Sequence, residues 1–188
     1  MHSTAYMSNR IAAIVGMPGA GKSEVSSHLT ALGFQCIHFG DVTQQELRRR
    51  GLTVNEANER LVRESLRATY GMAAYALLNM ENIDTALKSG SVVVDGLYSW
   101  EEYLVLKERY GERLLVVAVT ASPATRARRL SLRRVRPLTA DELANRDRAE
   151  IEKLNKGGPI AMADIMLVNE GTVHELRVKA AQVQKALL

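Results

Sequence analysis

The chain has a single cysteine, Cys36, among 188 residues, which excludes an internal disulfide and any cysteine-built metal cluster. Its neighbours Gln35, Ile37 and Phe39 read as a strand, so Cys36 is expected to be a buried structural thiol. Histidine is nearly as scarce. His2, His28, His38 and His174 share no ligand spacing, and none is assigned to a metal. No apolar run reaches the ~18 residues that a membrane-spanning helix needs. Residues 1–10 are polar and lack the apolar centre of a signal peptide, so a cytoplasmic protein is expected, with Met1 or Met7 as its start. Internal repeats, linkers and low-complexity tracts are missing too. A hydrophobic content of 46% in this length supports one well-buried core and a single domain.

Against these absences stands one complete motif. Gly16-Met17-Pro18-Gly19-Ala20-Gly21-Lys22-Ser23 is a G-x-x-x-x-G-K-[ST] phosphate-binding loop, placed directly after the apolar run Ile11-Ala12-Ala13-Ile14-Val15. Its glycines let consecutive backbone N–H groups turn inward on a polyphosphate, and the helix that follows, carrying Glu24, offers its positive end. Lys22 can reach β/γ-phosphates and Ser23 can ligate Mg²⁺. Gly16, Gly19, Ala20, Gly21, Lys22, Ser23 and Glu24 are therefore candidate ATP contacts.

Around the loop, short apolar runs alternate with helical patterns. Strands are expected at 11–15, 35–39, 91–95, 114–119 and 162–168. Helices are expected at 23–32, 99–110, from Pro123 onward and at 172–188. Between 41 and 88 a helical region is broken at Gly51, Gly71 and Gly90, with Leu61, Leu66, Tyr70, Ala74 and Leu77 at helical spacing. Val92-Val93-Val94 shows no polar alternation, as expected for a parallel strand covered on both faces. The pattern predicts an α/β three-layer sandwich around a five-stranded, mostly parallel sheet. The core should comprise 10–40, 91–132 and 157–188, with a helical acceptor-side insert at 41–90 and an Arg-rich lid at 133–156.

Two aspartates end apolar strands. Asp95, followed by Gly96, can hold Mg²⁺ beside the phosphate loop; the alternative is an aspartate capping a turn. Asp41 can orient or deprotonate an acceptor hydroxyl, or equally serve as the N-cap of the helix that begins there. Both are expected to open onto the crevice that Lys22 faces, because ligands sit at the carboxyl ends of the strands. The net charge is +4, and the excess is concentrated in Arg48-Arg49-Arg50 and in six arginines from Arg126 to Arg136. Arg126, Arg129 and Arg133 share one helical face, whereas Arg128 and Arg136 point elsewhere. Arginine forks stabilise the charge of phosphoryl transfer; a solvated basic face is the other reading. The run has no aromatics to stack on bases, which counts against single-stranded nucleic acid. Arg146 and Arg148 lie beside Asp147 and Glu150, so local ion pairing competes with a catalytic role. Arg63 and Arg67 share one face and can hold an acceptor's anionic group.

These residues resemble the nucleoside monophosphate kinase-like family. The resemblance rests on the loop 16–23, on Gly40-Asp41, on Val94-Asp95-Gly96, on Ala121-Ser122-Pro123 with Arg129 and Arg133, and on 163–172. Its adenylate kinase-related and dephospho-CoA kinase-related members, including an archaeal branch, look most alike. The resemblance implies that Arg129 stacks on adenine or contacts donor phosphates, and that Val168-Asn169-Glu170-Gly171 reads the adenine edge. It further implies that Arg146 closes on the transferred phosphate, and that Asp95 lies near Mg²⁺. Two positions depart from the family. Gln44 stands where adenylate kinases carry an acceptor-phosphate arginine, and Asp95-Gly96-Leu97-Tyr98-Ser99 replaces Asp-Gly-Phe-Pro-Arg. Glutamine supplies a hydrogen bond without charge, and charge-assisted bonds are about twice as strong. The acceptor is thus expected to differ from AMP, unless Arg48, Arg63 or Arg67 takes over.

The resulting expectation is an ATP- and Mg²⁺-dependent phosphotransferase acting on a small acceptor, as a monomer or homodimer. Lys22, Arg146 and Asp41 are its candidate catalytic groups, Arg129, Asn169 and Gly171 further ATP contacts, and Ser23 and Asp95 the metal ligands. A regulatory nucleotide switch and a nucleic-acid end kinase are the alternatives. Asn155-Lys156-Gly157-Gly158 resembles the guanine-reading N-K-x-D motif but lacks its aspartate.

Overall fold

The computed structural model describes residues 9–133 and 137–188. Among the described residues the strands are β1 (Ile11–Val15), β2 (Gln35–His38), β3 (Val92–Asp95), β4 (Leu114–Thr120) and β5 (Ile165–Val168). They form one sheet in the order β2-β3-β1-β4-β5, with every pairing parallel. The helices are α1 (Lys22–Ala31), α2 (Asp41–Arg49), α3 (Glu56–Tyr70), α4 (Ala74–Ala86), α5 (Trp100–Tyr110), α6 (Pro123–Ser131), α7 (Ala140–Glu152), α8 (Gly157–Ala161) and α9 (Val173–Leu187).

The period-two geometry of the strands explains the three layers. Ile11, Ala13 and Val15 of β1, with Val92 and Val94 of β3, face one apolar cluster completed by Leu47, Val62, Tyr75, Ile83 and Leu106 from α2–α5. Ala12, Ile14, Val93 and Val117 face the other, closed by Val25 and Leu29 of α1 and by Leu176, Ala180 and Val183 of α9. The central strands are therefore apolar on both faces, as a parallel sheet covered by helices requires. No helix among the described residues is long and apolar enough to cross a membrane.

Several elements differ from the sequence reading. Gly71 breaks the helical region where expected, between α3 and α4, but the residues at helical spacing across it do not form one buried stripe. Leu66 and Ala74 are buried, whereas Leu61, Tyr70 and Leu77 are 53%, 48% and 44% exposed. The fifth strand starts at Ile165, later than expected, because Met162 caps the end of α8 and 163–164 turn the chain into the sheet. The 114–119 strand extends to Thr120. Cys36 lies on the edge strand β2 and is only half-buried, which pushes its thiol up to about 11 by desolvation. The N-cap of α2 is Gly40, so Asp41 occupies the helix's first turn instead of capping it. Arg136 lies outside the described residues.

Candidate nucleotide-binding site

The phosphate loop connects β1 to α1 where the strands' carboxyl ends meet the helix's amino end. No side chain caps the N-terminus of α1, so its first N–H groups keep the character of an anion site. Gly21 has φ 108°, and a Cβ there would run into the Asn169 amide. Lys22 Nζ folds back on the loop, donating to the carbonyls of Gly16 at 2.8 Å and Met17 at 3.4 Å. Burial and the neighbouring Lys156 and Arg146 cations pull its ammonium down to about 8, partly offset by Glu150 and Asp95.

A cavity of about 330 Å³ opens in front of this lysine. It gathers Gly19, Gly21, Lys22, Ser23, Glu24, Asp95, Arg129, Arg133, Asn169 and Gly171, all named from sequence, and adds Val173. Gly16 and Ala20 are buried just behind the wall. Asp95, 15% exposed, faces His38 Nδ1 at 3.3 Å. Among the described residues there is no cluster of three or more His, Cys, Asp or Glu suited to a metal. The Ser23 hydroxyl and the Asp95 carboxylate, both on this cavity, suit a hard cation completed by phosphate oxygens and water.

The far wall of the cavity is built on Asn169. Its backbone N–H donates to Thr120 O at 2.7 Å, and its Nδ2 to Ala20 O at 2.8 Å. Arg129 donates to Asn169 O at 2.9 Å, to its Oδ1 at 3.2 Å and to Gly171 O at 3.0 Å. One guanidinium thus holds the 169–171 loop beside the phosphate loop. Glu24, at the cavity, pairs with Arg177 at 3.5 Å.

Other expected residues are placed differently. Arg126 is buried instead of turned to a ligand: it forks onto Asp147 at 2.8 and 2.7 Å and donates to Pro18 O at 3.2 Å. Arg128 is exposed. Asp147 is therefore not a partner of Arg146, which meets Glu150 at 3.5 Å from an exposed face of α7. Arg148 pairs with Glu152 at 3.8 Å. Asp41 does not line the cavity of Lys22. It opens onto a second one, also about 330 Å³, with Cys36, His38, Gln45 and Asn79.

On the acceptor-side helices, Gln44 Nε2 donates to Glu59 Oε1 at 3.2 Å, and Arg63 pairs with Glu56 at 2.7 Å and Glu59 at 3.5 Å. Arg67 lies over the Tyr75 ring at 5.3 Å, and its buried Nε has no hydrogen-bond partner. Arg49 and Arg50 both pair with Glu46, and Arg48 is exposed, so this run is a solvated face. Burial raises the Tyr98 phenol above its ordinary range. Tyr98 packs edge-on against Tyr75 with ring centres 5.4 Å apart. Sequence reasoning missed Lys156: it is 2% exposed, ion-paired with Glu150, and 5.5 Å from the centre of the Tyr98 ring. Its only signal was a lysine in a turn that resembled something else.

Comparison with known proteins follows the same line. Residues 13–162 match the family model described as AAA domain. The chain is 36% identical over 179 residues to a UPF0200 protein of Thermococcus kodakarensis, covering 93% of this chain and 95% of that protein. Among solved structures, one from Thermus thermophilus superposes with a TM-score of 0.67 at 22% identity, over 96% and 98% of the two chains. A shikimate kinase of Bacteroides thetaiotaomicron does so with a TM-score of 0.59 at 16% identity, over 95% and 98%. At these identities the structural likeness is one of fold, that of the P-loop kinases.

Proposed function

The chain belongs to the AAA domain family and to the UPF0200 proteins, and from that premise we propose that it is a phosphotransferase. It would move the γ-phosphoryl group of ATP to a small acceptor of nucleoside monophosphate, dephospho-CoA or hydroxyl-bearing type. The observation that carries this reading is the convergence of Lys22, Ser23, Asp95, Arg129 and Arg133 on one cavity at the N-terminus of α1.

In this reading, Lys22 exchanges its bonds to the Gly16 and Met17 carbonyls for phosphate oxygens. The α1 N–H groups hold the same phosphates, and Arg133 faces them across the cavity. Arg129 and the 169–171 loop form the adenine side. Ser23 and Asp95 would hold Mg²⁺, which supplies charge neutralisation and orientation of the phosphates. Arg146, on the proposed lid 133–156, closes on the phosphoryl group in flight. Catalysis then rests on positioning and electrostatics, with little covalent work for the protein. On the acceptor side, helices 41–90 offer Arg67 to an anionic group, since Gln44 and Arg63 are already engaged with acidic partners. Asp41, off the cavity, carries no step.

A panel of nucleoside monophosphates, nucleosides and dephospho-CoA, read as ADP formed, tests the reading. Lys22→Ala should lower turnover at least about a hundredfold; a variant that keeps both ATP binding and turnover sinks it.

A further inference from the structure

The structure holds a second lysine that this reading leaves without a task. Lysine is almost never fully buried unless paired, yet Lys156 is 2% exposed. Its position is fixed by the backbone. Lys156 N–H donates to Glu150 O at 3.1 Å, Trp100 N–H donates to Leu154 O at 3.2 Å, and Asn155 takes φ 49° to turn the chain between α7 and α8. The chain thus spends a left-handed residue and a contact to α5 on bringing this ammonium inside.

What the ammonium meets there is informative. Its ion-pair partner is Glu150, and Tyr98 presents a ring face. Glu150, itself only 12% exposed, also receives Arg146 at 3.5 Å. One carboxylate therefore answers two cations. Both cations, and Glu150 with them, act electrostatically on Lys22. Geometry sets this group beside the site: Tyr98, which lies under Lys156, packs against Gly96 next to the cavity residue Asp95, and Arg126, bonded to Pro18 O of the phosphate loop, forks onto Asp147 next to Arg146. A phosphate carries more oxygens than a carboxylate and more charge, so it can replace Glu150 toward both partners.

We propose that Lys156 is a second phosphate-binding lysine of the site, and that Glu150 is its placeholder, yielding Lys156 and Arg146 to phosphate oxygens when a polyphosphate enters. The inference rests on the phosphotransfer reading for its setting but makes its own demand: Glu150 competes with the ligand, and Lys156 binds it. A purely structural ion pair makes the opposite demand, because removing either partner then only loosens the fold.

The test uses the full-length chain and inorganic tripolyphosphate as probe, with affinity measured by calorimetry and folding by thermal melting. Lys156→Met should weaken tripolyphosphate binding about tenfold, the loss of one charge-assisted bond. Glu150→Gln should strengthen it several-fold, because the competing charge is gone while the shape is kept. In ATP turnover the same two variants should move KM in those opposite directions. If both variants leave the affinity unchanged, or both weaken it alike, the proposal is overturned. Lys22→Ala separates that failure from a failure of the wider reading. When the wild type binds tripolyphosphate and Lys22→Ala does not, the site stands and only the role of Lys156 falls. When the wild type binds none, both readings fall together.

Discussion

Glu102 shows how a single buried group ties pH to the shape of the site. It is fully buried at the start of α5, where its carboxylate accepts from Tyr98 N–H at 2.7 Å and Ser99 N–H at 3.3 Å. These bonds hold the turn that leads from Asp95 into α5. Burial pushes the carboxyl up to about 7, against the bonds from Tyr98 and Ser99 and the cations Arg67 of α3 and Lys156 before α8. A raised acid favours the protonated form in the folded state. The associated stability is present below the unfolded value of about 4.5 and is lost as pH rises through about 7. Chemical denaturation between pH 4.5 and 8 should therefore show stability falling on this account, and Glu102→Gln, which keeps an acceptor oxygen, should flatten that slope. An unchanged slope would remove Glu102 as its source. The residue was legible in sequence only as part of a helix start; its charge state depends on what covers it.

At the scale of elements, the joint between α6 and α7 decides what the arginine run does. The run reads as a block of ligand-facing cations, but the helix distributes it. Arg126 turns inward to Asp147 and the phosphate loop, Arg129 to the 169–171 loop, and Arg128 to solvent. Arg126 is 5% exposed and Asp147 19%, so this pair is far drier than the surface pairs of α7. Breaking a buried pair strands a charge, which costs about 3–5 kcal/mol, whereas replacing both partners costs less. Asp147→Ala should lower stability by about 3 kcal/mol. The double variant Arg126→Met with Asp147→Leu should lose less than the two single changes added, as measured by urea denaturation. Additive losses would mean that the pair does not couple α6 to α7. The same scale explains the misread stripe of α3 and α4. Helical spacing was counted through a glycine that ends one helix, and beyond it the phase starts again.

For the molecule as a whole, Asn169 is where distant parts meet. It follows β5, bonds to Thr120 at the end of β4, carries the phosphate loop through Ala20 O, and receives Arg129 from α6. Asn169→Ala removes the side-chain bonds to Ala20 and Arg129 together, and leaving buried polar groups unpaired costs about 1–3 kcal/mol each. We expect a loss of stability in that range and a clear loss of ATP affinity, while Asn169→Asp keeps the oxygen toward Arg129 and loses the bond to Ala20. An Asn169→Ala protein that binds ATP as tightly as the wild type would show that the loop holds its shape alone.

The sequence by itself determined what is local: the phosphate loop, the strands apolar on both faces, and the strand–helix alternation that makes a three-layer parallel sandwich. Each is written within a few consecutive residues, by glycine conformation or by hydrophobic period. Only the tertiary structure decided the partners. Arg126 with Asp147, His38 with Asp95, Asn169 with Ala20 and Lys156 over Tyr98 join residues far apart in the chain. Charge pairing leaves no periodic trace, so such pairs emerge when the sheet order brings their elements together.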